Sequence, residues 1–363
     1  MKEKYQPIKF PQDELAHDKI IEWWYFNAHL WDENQNHYAL MYAFFKANPR
    51  KVKLPVVNKI PLKNIYFEHS MISDIKNQKF YATINPICIL MPNGFSRALL
   101  FINYLTQPNN FSRLTEIKPF TYQLETKNIN LSLASAKKPL LVNQIGFVDL
   151  KFERQSWYYS LSRLNARGKI KIKDQWLKVA GQAWHDHQWA NAPYANDFWL
   201  WFSVQLDNGV EIVCFEYGRE AKTSLASVMN KNGVQKTFSV EITPIGENWT
   251  SPVTAATYPQ KFEIKIPQAK IEMVVKSLVK NQEMLYGLIN YWEGGVEVSA
   301  KIEGQAATGW GFAELVGFKP NKKFAKIYQE KFKAELNSTW LKLKNKAQEK
   351  IQKKYSKIND WFS

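Results

Sequence analysis

Three ionisable residues lie between two tryptophans in the run 184–189, which reads Trp-His-Asp-His-Gln-Trp and follows Gly181 near the end of a predicted strand. Burying a carboxylate or an imidazolium among aromatic rings is unfavourable unless each group is hydrogen-bonded or paired with an opposite charge. Such clusters therefore persist mainly where they organise a junction in the fold or transfer protons. We predict that His185, Asp186 and His187 are candidate catalytic residues.

This cluster has two interpretations, because side chains alternate between the two faces of a strand. His185 and His187 are expected on one face and Asp186 on the other. In the structural interpretation, an imidazole bonds a neighbour while Asp186 anchors a junction. In the catalytic interpretation, an imidazole, or a carboxylic acid whose pKa is raised by burial, donates a proton to a carbon–carbon double bond or an enol. The faces of nearby tryptophans would then stabilise the cation that forms.

Four other segments accompany this run along the chain. They are Glu22-Trp23-Trp24-Tyr25, Tyr66 to Asp74, Tyr158 to Arg163 and Trp199 to Gly209. In this order, and with the run from Gly181 to Trp189, they resemble the carotenoid 1,2-hydratase (hydroxyneurosporene synthase) and AttH superfamily. The similarity extends from about Glu22 to Phe318. The resemblance implies two tandem lipocalin-like barrels that meet near the Asp-His-x-Trp segment.

The central motif also indicates which branch of that superfamily this chain resembles more. Carotenoid hydratases show an aromatic-His-Asp-His-Asn-Trp pattern, which this chain matches except that Gln188 replaces the frequent asparagine. AttH-type relatives tend to lack the first histidine, so His185 favours the enzymatic branch. Gln188 keeps amide hydrogen bonding on a longer side chain.

Further candidate residues follow from the same segments. Glu22 is a fourth candidate catalytic residue, and its alternative role is a salt bridge with Arg163. The candidate ligand-binding residues are mainly aromatic: Trp23, Trp24, Tyr25, His69, Tyr159, Arg163, Trp184, Trp189, Trp199, Trp201 and Tyr217. No cofactor is expected. No metal site is predicted either, because His185 and His187 supply two ligands, catalytic zinc usually has three protein ligands, and no spacing demands His69, Glu22 or His29 as the third.

The elements that position these residues are short segments rich in aromatic and aliphatic side chains, bounded mostly by Asn, Asp, Gly or Pro. We predict strands at 24–31, 37–46, 65–72, 97–105, 128–134, 157–164, 262–266, 271–275, 291–302 and 309–315. Asp207-Asn208-Gly209 and Lys231-Asn232-Gly233 predict type I′ hairpin turns, in which both central residues need positive φ. No long amphipathic helices alternate with the strands, as a parallel α/β sheet would require.

We therefore predict an all-β fold of two tandem lipocalin-like antiparallel β-barrels followed by a C-terminal amphipathic helix. The predicted boundaries are 1–192 for the first barrel, 193–320 for the second and 321–363 for the basic tail. An up-and-down barrel of about eight strands leaves room for one small apolar ligand.

The C-terminal tail differs from the rest of the chain in its charge. Asn321 to Ser363 contains twelve lysines and four acidic residues, which is half of the net charge of +16. Apolar residues recur there every three or four positions, as on one face of a helix. Two roles are open: peripheral contact with an anionic membrane, or packing of the apolar stripe on the second barrel.

Composition narrows the class of protein. The chain has 363 residues, of which 15% are aromatic, including 14 Trp; this excess indicates either an apolar ligand or the ordinary preference of sheets for aromatics. Cys88 and Cys214 lie in apolar stretches and are typical of buried thiols. No signal peptide or membrane-spanning run is visible, and we expect a cytoplasmic protein, peripheral to the inner membrane face if the tail binds lipid. No nucleic-acid-binding module is recognisable.

These observations predict a protein that binds an apolar, polyene- or isoprenoid-like molecule. The predicted activity is cofactor-free acid–base catalysis, as a hydro-lyase that hydrates a double bond or as an isomerase or cyclase. Two alternatives stay open: a non-catalytic carrier of a lipid or hydrophobic metabolite, and a membrane-associated structural or stress protein.

Overall fold

The computed structural model describes residues 5–52, 62–95, 98–150, 154–192, 197–219, 222–286 and 289–319, the helical residues 333–342, and the isolated positions 326, 330, 344, 345 and 348. Two antiparallel sheets account for most of this part of the chain, which confirms the predicted all-β class. Within it, no helix has the length and apolar character needed to cross a membrane.

The first sheet closes into a barrel. Its strands are β1 (Ile21–Asp32), β2 (His37–Ala47), β3 (Ile65–Asp74), β4 (Lys79–Leu90), β5 (Phe101–Gln107), β6 (Asn110–Lys118), β7 (Thr121–Glu125), β8 (Ile129–Ser135), β9 (Leu140–Leu141), β10 (Phe147–Leu150), β11 (Arg154–Ile172) and β12 (Gln175–Ala190). The path from β11 through β12 and β1 to β8 returns to β11, so ten strands form the closed barrel. This is more than the roughly eight strands of a small up-and-down barrel.

The second sheet is an open half-barrel. Its strands are β13 (Trp199–Leu206), β14 (Glu211–Tyr217), β15 (Thr223–Met229), β16 (Gln235–Phe238), β17 (Glu241–Pro244), β20 (Lys261–Ile266), β21 (Ile271–Ser277), β22 (Glu283–Tyr286), β23 (Ile289–Ile302) and β24 (Gln305–Val316), with β18 (Asn248–Thr250) and β19 (Thr257–Pro259) as a separate pair. The order runs from β16 through β13, β24 and β23 to β17. In the described residues β16 and β17 do not pair with each other, which leaves this sheet open.

The hairpin turns are tight but are not the predicted type I′ turns. Among the residues of the two Asn-Gly turns, only Gly209 and Gly233 have positive φ, at 78° and 77°. The backbone bond from Leu206 N–H to the Val210 carbonyl closes a three-residue loop. Loops of this length commonly combine a type I turn with one left-handed residue, and glycine adopts that conformation without steric cost.

The two sheets pack face to face through a shared apolar cluster. Its members include Tyr25, Met41, Met71 and Trp184 from the barrel and Trp201, Phe215, Tyr291 and Phe312 from the half-barrel. Gly295 on β23 makes the close approach feasible, because an added Cβ there would lie 2.6 Å from Cβ of Ala39 on β2. The predicted boundary between residues 192 and 193 falls at the edge of the described residues, because 193–196 lie outside them.

The described part of the tail, residues 333–342, is helical, as predicted. Leu336 is buried in a cluster that includes Ala47, Ile65 and Phe67 of the barrel and Tyr286 of the half-barrel. Leu341 lies on the exposed side of the helix. In the described residues 333–342, the apolar side of the helix therefore packs on a cluster that is formed mainly by the first barrel and includes Tyr286 of the half-barrel, whereas membrane contact of the tail stays a prediction.

Candidate functional site

A cavity of about 210 Å³ lies between the barrel and the half-barrel. Its walls are mostly aromatic and aliphatic, and they are formed by Ile21, Trp23, Tyr25, Phe45, Ala47, Val52, Phe67, His69, Val148, Leu150, Tyr158, Asp186, Gln188, Trp199, Trp201, Phe215, Tyr217, Tyr286, Tyr291, Glu314 and Val316. An apolar pocket with a few convergent polar groups is the usual form of a small-molecule site. We call it the inter-barrel cavity.

Asp186 is the acidic group that the barrel contributes to this cavity. Its Oδ1 accepts hydrogen bonds from Ser160 Oγ and Trp184 Nε1, each at 2.6 Å, and its Oδ2 accepts one from Tyr158 at 2.5 Å. Burial outweighs these three bonds and raises the pKa of Asp186 to about 7. Trp201 Nε1 of the half-barrel donates to the Tyr158 hydroxyl at 2.8 Å, so both sheets hold the acid in place.

A pair of glutamates contributes a second acidic group from the half-barrel. Glu293 and Glu314 lie directly opposite each other on β23 and β24, with Glu293 buried and Glu314 partly buried. Burial raises the pKa of each carboxyl, and the neighbouring charge of Glu314 raises the pKa of Glu293 further. Tyr25 donates to Glu293 at 2.8 Å and Trp199 Nε1 donates to Glu314 at 2.6 Å. The other oxygen of Glu293 has no hydrogen-bond partner among the described residues, which fits a carboxyl whose raised pKa keeps it protonated.

The two histidines of the central motif face away from this cavity, as strand alternation predicts. His185 stacks on Phe26 inside the barrel with ring centroids 4.2 Å apart, and its Nδ1 donates to the Tyr25 carbonyl at 2.9 Å. Burial lowers the pKa of His185 to about 3, so its ring is neutral. His187 stacks on Trp24 in the same interior. The motif therefore places His185 and His187 in the barrel interior and Asp186 at the inter-barrel cavity.

His187 belongs to a charge-compensated cluster at one end of the barrel. Glu22 accepts from His187 Nε2 at 3.0 Å, from His17 Nδ1 at 2.8 Å and from Lys46 Nζ at 3.1 Å. Burial alone would raise the pKa of Glu22, but the bonds from His17 and His187 outweigh it and lower the pKa to about 2. The suggested salt bridge between Glu22 and Arg163 was wrong, because Arg163 pairs with Glu211 at 2.6 Å.

In the part of the chain that the structure describes, this cluster also brings together three side chains that could bind a metal ion. Ligand atoms of His17, Glu22 and His187 lie within 4.8 Å of one another. The Lys46 ammonium and the two imidazoles already satisfy Glu22, and a buried ammonium next to a bound cation would be repelled. The donor set therefore fits an internal ion cluster better than a metal centre.

The remaining sequence-predicted residues divide between the two environments. The structure brings Trp23, Tyr25, His69, Trp199, Trp201 and Tyr217 to the inter-barrel cavity together with Asp186. Trp184 does not line the cavity itself, but its Nε1 donates a hydrogen bond to Asp186. By contrast, Trp24, Tyr159 and Trp189 pack in the barrel core with His185 and His187, and Glu22 and Arg163 are held in ion pairs.

Sequence analysis missed several residues at the inter-barrel cavity and in the Glu22 cluster. Glu293 and Glu314 each lie in a strand among apolar neighbours, in Tyr291-Trp-Glu and Phe312-Ala-Glu, and that setting was the available signal. Tyr158 lies within one of the motifs described above, but its type and position do not distinguish it from the aromatic residues around it. His17 and Lys46 gave no local signal, because only the closure of the barrel brings them to Glu22.

The fold and the cavity define a class, a lipocalin-like β-barrel protein with an acid-containing apolar cavity. The chain belongs to the AttH-like family, whose model matches residues 2–318. No curated protein sequence matches it.

Solved structures share this fold at low sequence identity. An AttH-type protein of Nitrosomonas europaea is 23% identical with a TM-score of 0.66, covering 86% of this chain and 98% of its own. Kievitone hydratase of Nectria haematococca is 15% identical with a TM-score of 0.69, covering 85% and 93%. CghA with the compound Sch210972 is 10% identical with a TM-score of 0.52, covering 83% and 89%. At these identities the likeness establishes the fold alone.

Proposed function

We propose that this protein binds a hydrophobic small molecule in the inter-barrel cavity and catalyses proton transfer to it without a cofactor. The observation that carries the proposal is Asp186, a carboxyl group in an apolar cavity whose pKa is raised to about 7. A group with this pKa is part protonated and part ionised near neutral pH, which suits general acid catalysis. Two of the structural relatives are named as a hydratase and as a protein bound to a small molecule, which supports this direction.

The surroundings of Asp186 are suited to losing a proton. Protonation of a carbon–carbon double bond forms a new C–H bond, leaves a carbocation on the substrate and leaves Asp186 as a carboxylate. Ser160, Trp184 and Tyr158 already point donors at that carboxylate, so no reorganisation is needed when the charge appears. Aromatic faces in the cavity wall stabilise the cation by cation–π interaction.

The cation then reacts in one of three ways. Addition of water followed by loss of a proton gives hydration, loss of a proton from carbon gives isomerisation, and attack by a second double bond followed by loss of a proton gives cyclisation. Glu314 lines the same cavity and lies opposite Glu293 in the strand register. We assign Glu314 the role of the base that accepts the released proton.

A non-catalytic carrier is the second candidate. The mainly apolar wall of the cavity favours it, because burial of a hydrophobic ligand needs no acid. The two functions differ in the need for Asp186: a carrier would bind apolar ligands equally well with Asn at this position.

Deuterium exchange separates the two functions. α-Methylstyrene is a small alkene that gives a stabilised tertiary cation, and reversible protonation in D₂O would place deuterium on its terminal carbon. We expect the wild-type protein to accelerate this exchange at pH 6 and Asp186→Asn to abolish the acceleration. Asp174→Asn, at an exposed position in the β11–β12 turn, is the control. Binding of the alkene without exchange by the wild-type protein would favour the carrier, and equal exchange by Asp186→Asn would contradict the role of Asp186.

A further inference from the structure

His69 carries a buried nitrogen that lacks a hydrogen-bond partner. The residue is 3% exposed and lines the inter-barrel cavity. Its Nδ1 lies 2.6 Å from the Tyr291 hydroxyl, whereas its Nε2 has no partner among the described residues. An unsatisfied buried polar atom is costly, and in a native structure it usually indicates a partner such as a ligand or water.

The protonation of this ring follows from its neighbours. Burial lowers the pKa of His69 to about 3, so the imidazole is neutral at physiological pH. Tyr291 keeps its proton because burial raises the pKa of its phenol. A phenol is a stronger donor than a neutral imidazole, so Tyr291 donates to Nδ1 and the ring hydrogen resides on Nε2. His69 therefore offers an N–H donor to the cavity.

The strand register places this donor at a distance from Asp186. Asp186 pairs with Tyr25, Tyr25 pairs with Ala43, and Ala43 pairs with His69, so these residues form one row across four strands. Neighbouring strands are about 4.8 Å apart, and three steps separate the ends of the row by roughly 15 Å between Cα atoms. The alanine between Tyr25 and His69 is the smallest side chain of the row. Asp186, Tyr25 and His69 of this row line the inter-barrel cavity, whereas Ala43 packs behind its wall, so a ligand meets the acid and the imidazole at separate parts of the cavity.

The chemistry of the wall limits the ligand further. Phe45 and Tyr286 lie 4.9 Å from the His69 ring between centroids, and Phe67 lies 5.7 Å away. These rings favour an apolar, ring-containing ligand. The charged or acidic residues that line the cavity are carboxyls, with no Lys or Arg among them, so an anionic ligand would be repelled. An apolar cavity of about 150 Å³ binds benzene, so a volume of 210 Å³ suits a ligand only somewhat larger.

From these observations, and resting on the proposed function of the cavity, we infer that the ligand is a neutral, ring-sized apolar compound bearing an acceptor oxygen that His69 Nε2–H binds. A carbonyl or hydroxyl oxygen meets this description. The oxygen anchors one end of the compound, and the double bond to be protonated lies towards Asp186. A volume of 210 Å³ holds a ring-sized part of a long-chain polyene, and the rest of such a chain would lie outside the cavity.

A pair of isosteric probes tests this inference by calorimetry, without any need for turnover. Acetophenone and α-methylstyrene differ in a C=O against a C=CH₂ group. We expect the wild-type protein to bind acetophenone about tenfold more tightly, the size of one hydrogen bond to an otherwise unpaired donor. His69→Phe should remove that preference without weakening the binding of α-methylstyrene. His69→Gln retains an N–H donor near the same place and should restore part of the preference.

The outcomes separate this inference from the proposed function. Equal binding of both probes by the wild-type protein would overturn the role of His69 and leave the cavity as a binding site. A preference that survives in a folded His69→Phe, checked by its melting temperature, would also overturn it. If neither probe binds, both the ligand class and the cavity function are contradicted. Asp186→Asn should keep the preference for acetophenone, because the acid and the anchor are separate.

Discussion

Glu22 in the barrel interior and Asp186 in the inter-barrel cavity are both buried acids, but of these two only Glu22 has cations beside it among the described residues. Glu22 in the barrel lies against Lys46, His17 and His187, and its pKa is lowered to about 2. Asp186 in the cavity has only neutral donors as hydrogen-bond partners, and its pKa is raised to about 7. The first acid is a permanent anion of the fold, whereas the second can gain and lose a proton near neutrality. Adjacent residues of one strand, Asp186 and His187, serve these two regions.

The largest effect is expected from breaking the compensated cluster. Glu22→Gln leaves Lys46 and His17 buried without their counter-charge, and removal of one partner from a buried ion pair costs about 3–5 kcal/mol. We expect the free energy of unfolding, measured by urea denaturation, to fall by that amount. Glu241→Gln, at an exposed position, should change it little. A stability loss below about 1 kcal/mol would mean that the cluster does not hold this end of the barrel together.

The complementary change removes the acid of the cavity. Asp186→Asn should lower the rate of deuterium exchange at least ~10²-fold, the usual size of a lost general acid. Its stability should change little at pH 6, because Asn still accepts some of the three hydrogen bonds. A variant that loses stability in proportion to its activity would instead favour a purely structural role for Asp186.

The contributions of Glu22 and Asp186 to stability should respond to pH with opposite sign. The folded-state pKa of Glu22 lies below its unfolded value of 4.5, so its contribution to stability is complete above pH 4.5 and is lost as pH falls towards 2. The folded-state pKa of Asp186 lies above its unfolded value of 3.8, so its contribution is complete below that pH and is lost as pH rises through about 7. We expect the stability difference between wild type and Glu22→Gln to shrink on acidification. The difference between wild type and Asp186→Asn should fall on alkalinisation, and parallel slopes would contradict the contrast.

A smaller and more specific effect is expected from Tyr158→Phe. The Tyr158 hydroxyl donates to Asp186 at 2.5 Å and favours its ionised form. Loss of that bond should raise the pKa of Asp186 by roughly one unit, since a hydrogen bond to a charged group is worth about 1.5 kcal/mol or more. The fall in exchange rate at alkaline pH should therefore move to higher pH. Ser162→Ala, which removes a buried hydroxyl of the same strand that contacts Met229, is the control.

The sequence predicted the fold class well because strand periodicity is a local property. The strand predicted at 65–72 corresponds to β3, and side-chain alternation alone predicted that His185 and His187 lie on the opposite face from Asp186. The candidate site was harder to predict from the sequence, because it depends on contacts between distant segments. Glu314 reaches the cavity only when the half-barrel packs on β1, and His17 reaches Glu22 only at the end of the closed barrel. The open edge of the second sheet had no signal in the sequence either.

The protonation of Asp186 in the intact protein is the most direct test of this account. Infrared difference spectroscopy of wild type against Asp186→Asn would isolate the carboxylic C=O band of this residue from acidic to alkaline pH. We predict a band that is present about two pH units below the raised pKa of about 7, absent about two units above it and half-lost near pH 7. A midpoint near the ordinary value of 3.8 would contradict the assignment of Asp186 as a proton donor near neutral pH.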